Sequence, residues 1–281
     1  MKRISIILLS ISILTSCMAS KGVSNSGTTE MVANRNESFG YQPIDPLPAK
    51  VGYLNDSGRI IPINRISRPL LNKRLMASLP DETMRMAIGQ IDGQGNINFT
   101  SNKVGYKGSS YVVVLDYIKF DTKSIPIVIR RDSSNKVSEI KSIPEGNRAM
   151  QPDGLMPIYV GVGLRLTATI SVNEGPVDLG NLFALGFAAE AKKLTGTLVI
   201  QTLGVSGKDV SSLIPMPSQI NTTTIQNAIM SLAAIKSKLY EDDAELSPRV
   251  VGFYNNIGGG QETVQKFITN ILTQEVKHVI E

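Results

Sequence analysis

The chain has 281 residues, 42% of them hydrophobic and 19% charged, and a formal net charge of +5. That length and apolar content suffice for a sizeable core, and the basic excess is too mild and scattered for a nucleic-acid-binding face. A single cysteine excludes an internal disulfide framework, and a single histidine excludes multi-histidine zinc sites within one chain.

The chain opens with Lys2 and Arg3, followed by eleven uncharged residues from Ile4 to Leu14. A membrane-spanning helix needs about 20 apolar residues. This shorter run fits the apolar core of a signal peptide. Thr15 and Ser16 then lead into Cys17. The Leu14-Thr15-Ser16-Cys17 stretch resembles the lipobox of bacterial lipoproteins. The resemblance covers the first seventeen residues. It implies a signal peptide over 1–16, cleavage before Cys17, a diacylglycerol on its sulfur and a further acyl chain, such as palmitate, on the new amino group. A lone exported thiol would be a liability in an oxidising compartment, and a thioether removes it. Without Lys2 and Arg3 the net charge falls to +3. By analogy with lipoprotein sorting, Met18 is not the aspartate of an inner-membrane signal, which favours the outer membrane.

Residues 17–50 read as a lipidated flexible tether, rich in Ser, Gly, Asn and Thr and ending in Pro43, Pro46 and Pro48. Such a segment buries too little to offset its ordering entropy. A globular body is expected over 51–281, with a possible subdivision near 150. Val51–Leu54 and Arg59–Ile63 flank the turn Asn55-Asp56-Ser57-Gly58, a hairpin signal. Met84–Ile91 and Asn96–Thr100 flank Asp92-Gly93-Gln94-Gly95 in the same way. Tyr111–Phe120 is β-branched and aromatic enough for a strand, and Ile125–Arg131 is expected to turn back and pair with it. Residues 158–170 alternate without a slip: Ile158, Val160, Val162, Leu164, Leu166, Ala168 and Ile170 face one way, glycines, threonines and Arg165 the other. Leu179–Leu194 reads as a helix weakened by Gly180 and Gly186, and Gly196–Val205 as a strand. Asn221 is a good N-cap for a helix to about Tyr240, with Ile225, Ala228, Leu232 and Ile235 on its apolar face. A last helix starts near Gln261, carries Val264, Phe267 and Ile271, and has His278 in its final turn. The fold class expected is α+β, with an antiparallel β-rich N-terminal half and helices in the C-terminal half.

The motifs yield little chemistry. Gly204-Val205-Ser206-Gly207 has Lys208 where a nucleophile elbow needs glycine. Gly207-Lys208 is followed by Asp209 and not by the Ser or Thr of a phosphate loop. Gly161 and Gly163 have Leu166 in place of a third glycine. The acids from Glu241 to Glu245 lack calcium-loop spacing. One histidine and one lipidated cysteine are read as excluding Ser-His-Asp and Cys-His sites within a single chain as well. Carboxylate-only chemistry stays open, without an identifiable pair. Cys17, as a lipidation site, is therefore the one site residue expected; no catalytic, cofactor or metal residue is. The expectation is a non-catalytic binding, scaffold or assembly lipoprotein of the cell envelope. It would be held at the outer membrane by lipid, facing the periplasm or the surface, with other envelope proteins as partners. The alternative is a pore or secretion-channel subunit. Residues 158–170 with 194–203 would form its hairpin, as in lipoproteins whose protomers each donate a hairpin to a shared barrel; the plan resembles the curli secretion channel. In a soluble sheet the same apolar face packs on the 179–194 helix or the terminal helices.

Cys17→Ser is expected to leave a longer, unlipidated precursor. Mass spectrometry of the mature N-terminus checks this, and an unmodified Cys17, or cleavage elsewhere, contradicts it.

Overall fold

The computed structural model describes residues 40–280, apart from 56, 64–66, 101, 145–149, 186–187, 242–243, 259 and 273–275. The signal run, Cys17 and the first part of the expected tether lie outside the described residues. Strands β1 (Gly40–Leu54) and β2 (Ile60–Pro62) precede helix α1 (Arg68–Ala77). The hairpin β3 (Asp81–Ile91) and β4 (Ile97–Thr100) leads through β5 (Val104–Gly105) to the long β6 (Ser110–Arg131), then β7 (Val137–Ser142) and the long β8 (Gly154–Val172). After β9 (Val177–Asp178) come α2 (Leu179–Leu185), a 3-10 turn (Ala188–Lys193) and β10 (Leu194–Leu203). Then follow β11 (Val205–Ser206), α3 (Lys208–Leu213), β12 (Ser218–Gln219) and α4 (Thr222–Lys238). The chain closes with β13 (Glu245–Leu246), β14 (Arg249–Asn255), α5 (Gly260–Phe267), a π turn (Ile268–Leu272) and β15 (Val276–Ile280).

The spine is the antiparallel ladder of β6 with β8, in register from Ser110↔Ser171 to Ile127↔Gly154. It joins residues on both sides of position 150 into one sheet. The main path runs β15-β1-β14-β8-β6-β3-β4, with β10 on β8, β12 on β10, β7 on β6 and β2 on β1. Each long strand has its outer edge divided between two partners. β8 pairs with β14 over Ile158–Gly161 and with β10 over Gly163–Val172. β6 pairs with β3 over Ser110–Phe120 and with β7 over Ile127–Arg131.

The alternation of β8 decides where the core lies. Its even-numbered face is buried along most of its length. Over Leu164, Leu166, Ala168 and Ile170 sits α4, with Ile225, Ala228, Leu232 and Ile235 in the same core cluster. Over Met156, Ile158 and Val160 sit Val264, Phe267 and Ile271 of α5 and the π turn. A period-2 stripe thus meets two period-3.6 stripes. Helix α4 starts where its cap directs. The Asn221 side chain accepts from the Thr224 N–H at 2.9 Å, and Thr224 Oγ1 accepts from the Asn221 N–H at 2.9 Å, a reciprocal pair that satisfies exposed helix donors.

The α+β class holds, with a large antiparallel sheet and helices mostly in the C-terminal half. Several expected details do not. Gly40–Lys50, assigned to the tether, lie in β1, which pairs with β14 and, from Ala49, in parallel with β15. Pro46 lies within, and Pro43 borders, a register shift of the β1–β14 ladder between Pro43 and Leu47, and proline is tolerated at such bulges. Tyr111–Phe120 and Ile125–Arg131 do not pair with each other. They are one strand, kept extended through its polar middle by β8 opposite. The 179–194 helix is a short α2 and a 3-10 turn. The final helix ends at the π turn, and His278 lies in a strand because β1 offers a partner far away in sequence. The hairpin expected from 158–170 and 194–203 forms over 163–172 with 203–194, while 158–161 pair with β14. Its apolar face is buried under α4.

Leu164 is 0% exposed beneath α4. Leu164→Asp places an unpaired charge there and is expected to cost several kcal/mol of stability. Chemical denaturation beside the parent checks this, and an unchanged midpoint contradicts the packing.

Candidate binding groove

Arg165 is the one charged residue in the alternating strand β8. The ladder sets it opposite Asp116 of β6 on one side and Gln201 of β10 on the other. Asp116 is 0% and Arg165 4% exposed. Arg165 grips the carboxylate with two prongs, Nε to Oδ1 at 2.7 Å and Nη2 to Oδ2 at 2.7 Å. Its remaining donors reach the backbone, Nη1 to the Ile44 carbonyl at 2.5 Å and Nη2 to the Val251 carbonyl at 2.8 Å. Both carbonyls sit at ladder defects. Ile44 falls in the β1 register shift, and Val251 is skipped between the Val250↔Val160 and Gly252↔Tyr159 pairs. The guanidinium therefore serves acceptors at positions where the ladders are interrupted. The Tyr41 hydroxyl donates to Asp116 Oδ2.

Burial, then the adjacent Asp116 charge, raise the Tyr41 pKa well above its ordinary value. Burial would lower the Arg165 pKa, but hydrogen bonding and charge from Asp116 outweigh it and raise it. Tyr41 thus stays a neutral donor and Arg165 stays charged. On one side of this network the sheet interior is closed. Gly161 and Gly163 let β8 approach β6, since a Cβ at either would strike the Lys119 or Tyr117 carbonyl. Phe120 meets Tyr159 edge-on at 5.1 Å, and the Arg85 guanidinium lies 4.0 Å from the Tyr159 ring centroid.

On the other side the interior opens into a groove of about 810 Å³. The strands β4-β3-β6-β8-β10 are consecutive neighbours, and both end strands line the groove, so this part of the sheet is curled into a gutter. Val112, Val114 and Thr167 lie on the floor strands, Phe99 and Val199 on the walls. Gln42, Pro43, Ile44, Asp45 and Leu47 of β1 and the start of α5 contribute as well. Charged side chains on the lining are Asp45 and Arg165, and Arg165 is occupied by Asp116 and two carbonyls. The rest of the polar lining is Gln, Asn and Thr. Apart from the Asp45 carboxylate, the groove thus offers neutral hydrogen-bonding groups over an apolar floor.

The glycine motifs are structural. Gly204 and Gly207 have φ of +66° and +144°, which other residues rarely adopt. Glu241 pairs with Lys238, and Glu245 with Arg68. A Ser-His-Asp grouping does form, contrary to the expectation from composition. Ser78 Oγ lies 2.8 Å from His278 Nε2, and Asp121 Oδ2 lies 3.7 Å from His278 Nδ1. One histidine suffices for such a set; it is the geometry that speaks against a nucleophile. Ser78 donates its single hydroxyl hydrogen to the Leu75 carbonyl at 2.7 Å, so Nε2 must be the donor toward Ser78. Nδ1 is then an unprotonated, unpartnered atom. A hydrolytic triad needs the opposite tautomer. Asp121 pairs instead with Lys123 at 2.8 Å. The cluster latches β15 to the end of α1 and to β6.

Comparison with known proteins finds no matching family model, curated protein or solved structure.

Burial and the Lys123 charge lower the His278 pKa from 6.5, and Asp121 opposes them. The unfolded chain then binds the proton more readily. His278 should contribute stability that is fully present above about 6.5 and lost as pH falls through that value toward the lower folded pKa. Denaturation between pH 7.5 and 5 should show this slope, and His278→Gln should flatten it. An equal slope in the variant contradicts the assignment.

Proposed function

We propose that this chain is a cell-envelope lipoprotein, anchored at the outer membrane through lipidated Cys17, whose body is a non-catalytic binding protein. The groove takes an extended segment of a partner envelope protein. The observation that carries this reading is a groove walled by two sheet-edge strands and lined, apart from Asp45 and the paired Arg165, by uncharged side chains. β4 ends the sheet on one side. On the other, β12 covers β10 only at Thr197 and Leu198. The Ile220 N–H donates to the Gly196 carbonyl at 3.0 Å, so Gly196 points its backbone outward. By the two-residue period, Ile200 and Thr202 do the same, and no strand pairs with that edge there among the described residues. Such an edge is a template for an added strand. Neutral amides and an apolar floor suit an uncharged extended segment.

A pore subunit is less supported, because the apolar face of its hairpin already packs on α4. Ile225 and Ile235, both 0% exposed, fill that contact.

A photo-crosslinker in place of Gln201, in native membranes, is expected to trap a defined envelope protein. The same group in place of Met230, 69% exposed on α4, should not trap it. Thr202→Pro removes an outward N–H at an edge position where proline is tolerated and should abolish the adduct without unfolding the chain. Equal adducts from both sites, or an adduct indifferent to Thr202→Pro, would refute the proposal.

A further inference from the structure

A second cavity, of about 350 Å³, lies between α4, α2 and the β3–β6 ladder. Leu115, Phe183, Ile229 and Leu232 give it apolar walls. Tyr117 also lines it. This residue is 6% exposed, and its hydroxyl is buried and makes no hydrogen bond of normal geometry among the described residues, although Glu82 and Tyr240 lie close enough to perturb its ionisation. Buried hydroxyls are ordinarily paired, so an orphan one beside an apolar cavity marks a place for a ligand acceptor.

The other polar groups at this cavity narrow the ligand's charge. Glu82 Oε1 pairs with Lys236 Nζ at 2.8 Å, and Glu82 Oε2 accepts from the Tyr240 hydroxyl at 2.6 Å. Lys236 Nζ also lies 4.7 Å from the Tyr117 ring centroid. Hydrogen bonding from Lys236 leads the causes that lower the Glu82 pKa to about 2. Burial, then a hydrogen-bonding interaction with Glu82, raise that of Tyr117, which keeps the phenol a neutral donor that a ligand oxygen must draw from Glu82. An anionic head would have to compete with Glu82 for Lys236, and a cationic one with Lys236 for Glu82, each breaking an existing ion pair. A neutral oxygen acceptor leaves that pair intact. The size follows from volume. An apolar cavity of about 150 Å³ holds benzene, so this one holds a body of roughly twice that size, an aliphatic chain of about ten carbons.

We propose that this cavity binds an uncharged amphiphile, an aliphatic chain with an ester- or amide-type carbonyl that accepts the Tyr117 hydroxyl. This site is independent of the groove. The probe is a methyl decanoate analogue carrying a diazirine on its chain, applied to the full chain in phosphatidylcholine bilayers. Labelled peptides are mapped by mass spectrometry. Saturable labelling is expected on α4 near Ile229–Leu232 and on α2 near Phe183. Unlabelled methyl decanoate should compete about fivefold better than decanoate or decane, roughly the fold-change of one net hydrogen bond. Tyr117→Phe, which keeps the ring, should weaken labelling by a similar factor, and Leu232→Trp should fill the cavity and abolish it. Non-saturable labelling, or equal labelling of Leu232→Trp, overturns the site. Equal competition by decanoate or decane overturns the neutral-acceptor assignment. Undiminished labelling of Tyr117→Phe does so too, and would mean that the hydroxyl turns onto Glu82 instead.

Discussion

The buried pair of Arg165 and Asp116 is the constraint on which the sheet's shape depends. Removing two charges from water costs several kcal/mol per ion, and attraction offsets this only when geometry is good and the remaining donors are satisfied. Here the pairing is bidentate, two backbone carbonyls take further guanidinium hydrogens, and Tyr41 donates to the carboxylate. Four strands meet at this point: β6 and β8 through their side chains, β1 and β14 through carbonyls at their bulges. A hydrophobic pair could fill the volume, but it would leave the Ile44 and Val251 carbonyls without these donors. The pair thus holds two register shifts in place, and those shifts mark where the closed interior ends and the groove begins.

Local signals in the sequence were sufficient where structure is local. The Asp92–Gly95 turn, the Asn221 cap and the alternation of β8 each specify an element within a few residues, and each element formed. Signals failed where a distant partner decides. β1 carries three prolines and reads as a linker, yet β14 and β15 hold it. The polar middle of β6 reads as a connection, yet β8 keeps it extended. Val276–Ile280 is too short to distinguish from a frayed helix end until β1 lies beside it.

The groove was not legible as a groove, though one trace of it was present. Asp116 stands among the buried apolar residues of β6, and Arg165 stands in the alternating face of β8. Two opposite charges inside two buried strands must be paired, and that alone would have aligned β6 with β8. The alternation of β8 alone is compatible with either helix or lipid against its apolar face, and α4 and α5 occupy it. The polar face, less informative in sequence, is the one that lines the proposed binding site.

The most direct measurement is a double-mutant cycle on that pair, with Arg165→Met, Asp116→Leu and both together, read by chemical denaturation. Each single change leaves a buried charge without its partner and is expected to cost about 3–5 kcal/mol. The double variant should cost much less than the sum, because it removes both charges at once. Single costs below about 1 kcal/mol, in the range of an exposed pair, or costs that simply add, would contradict the account.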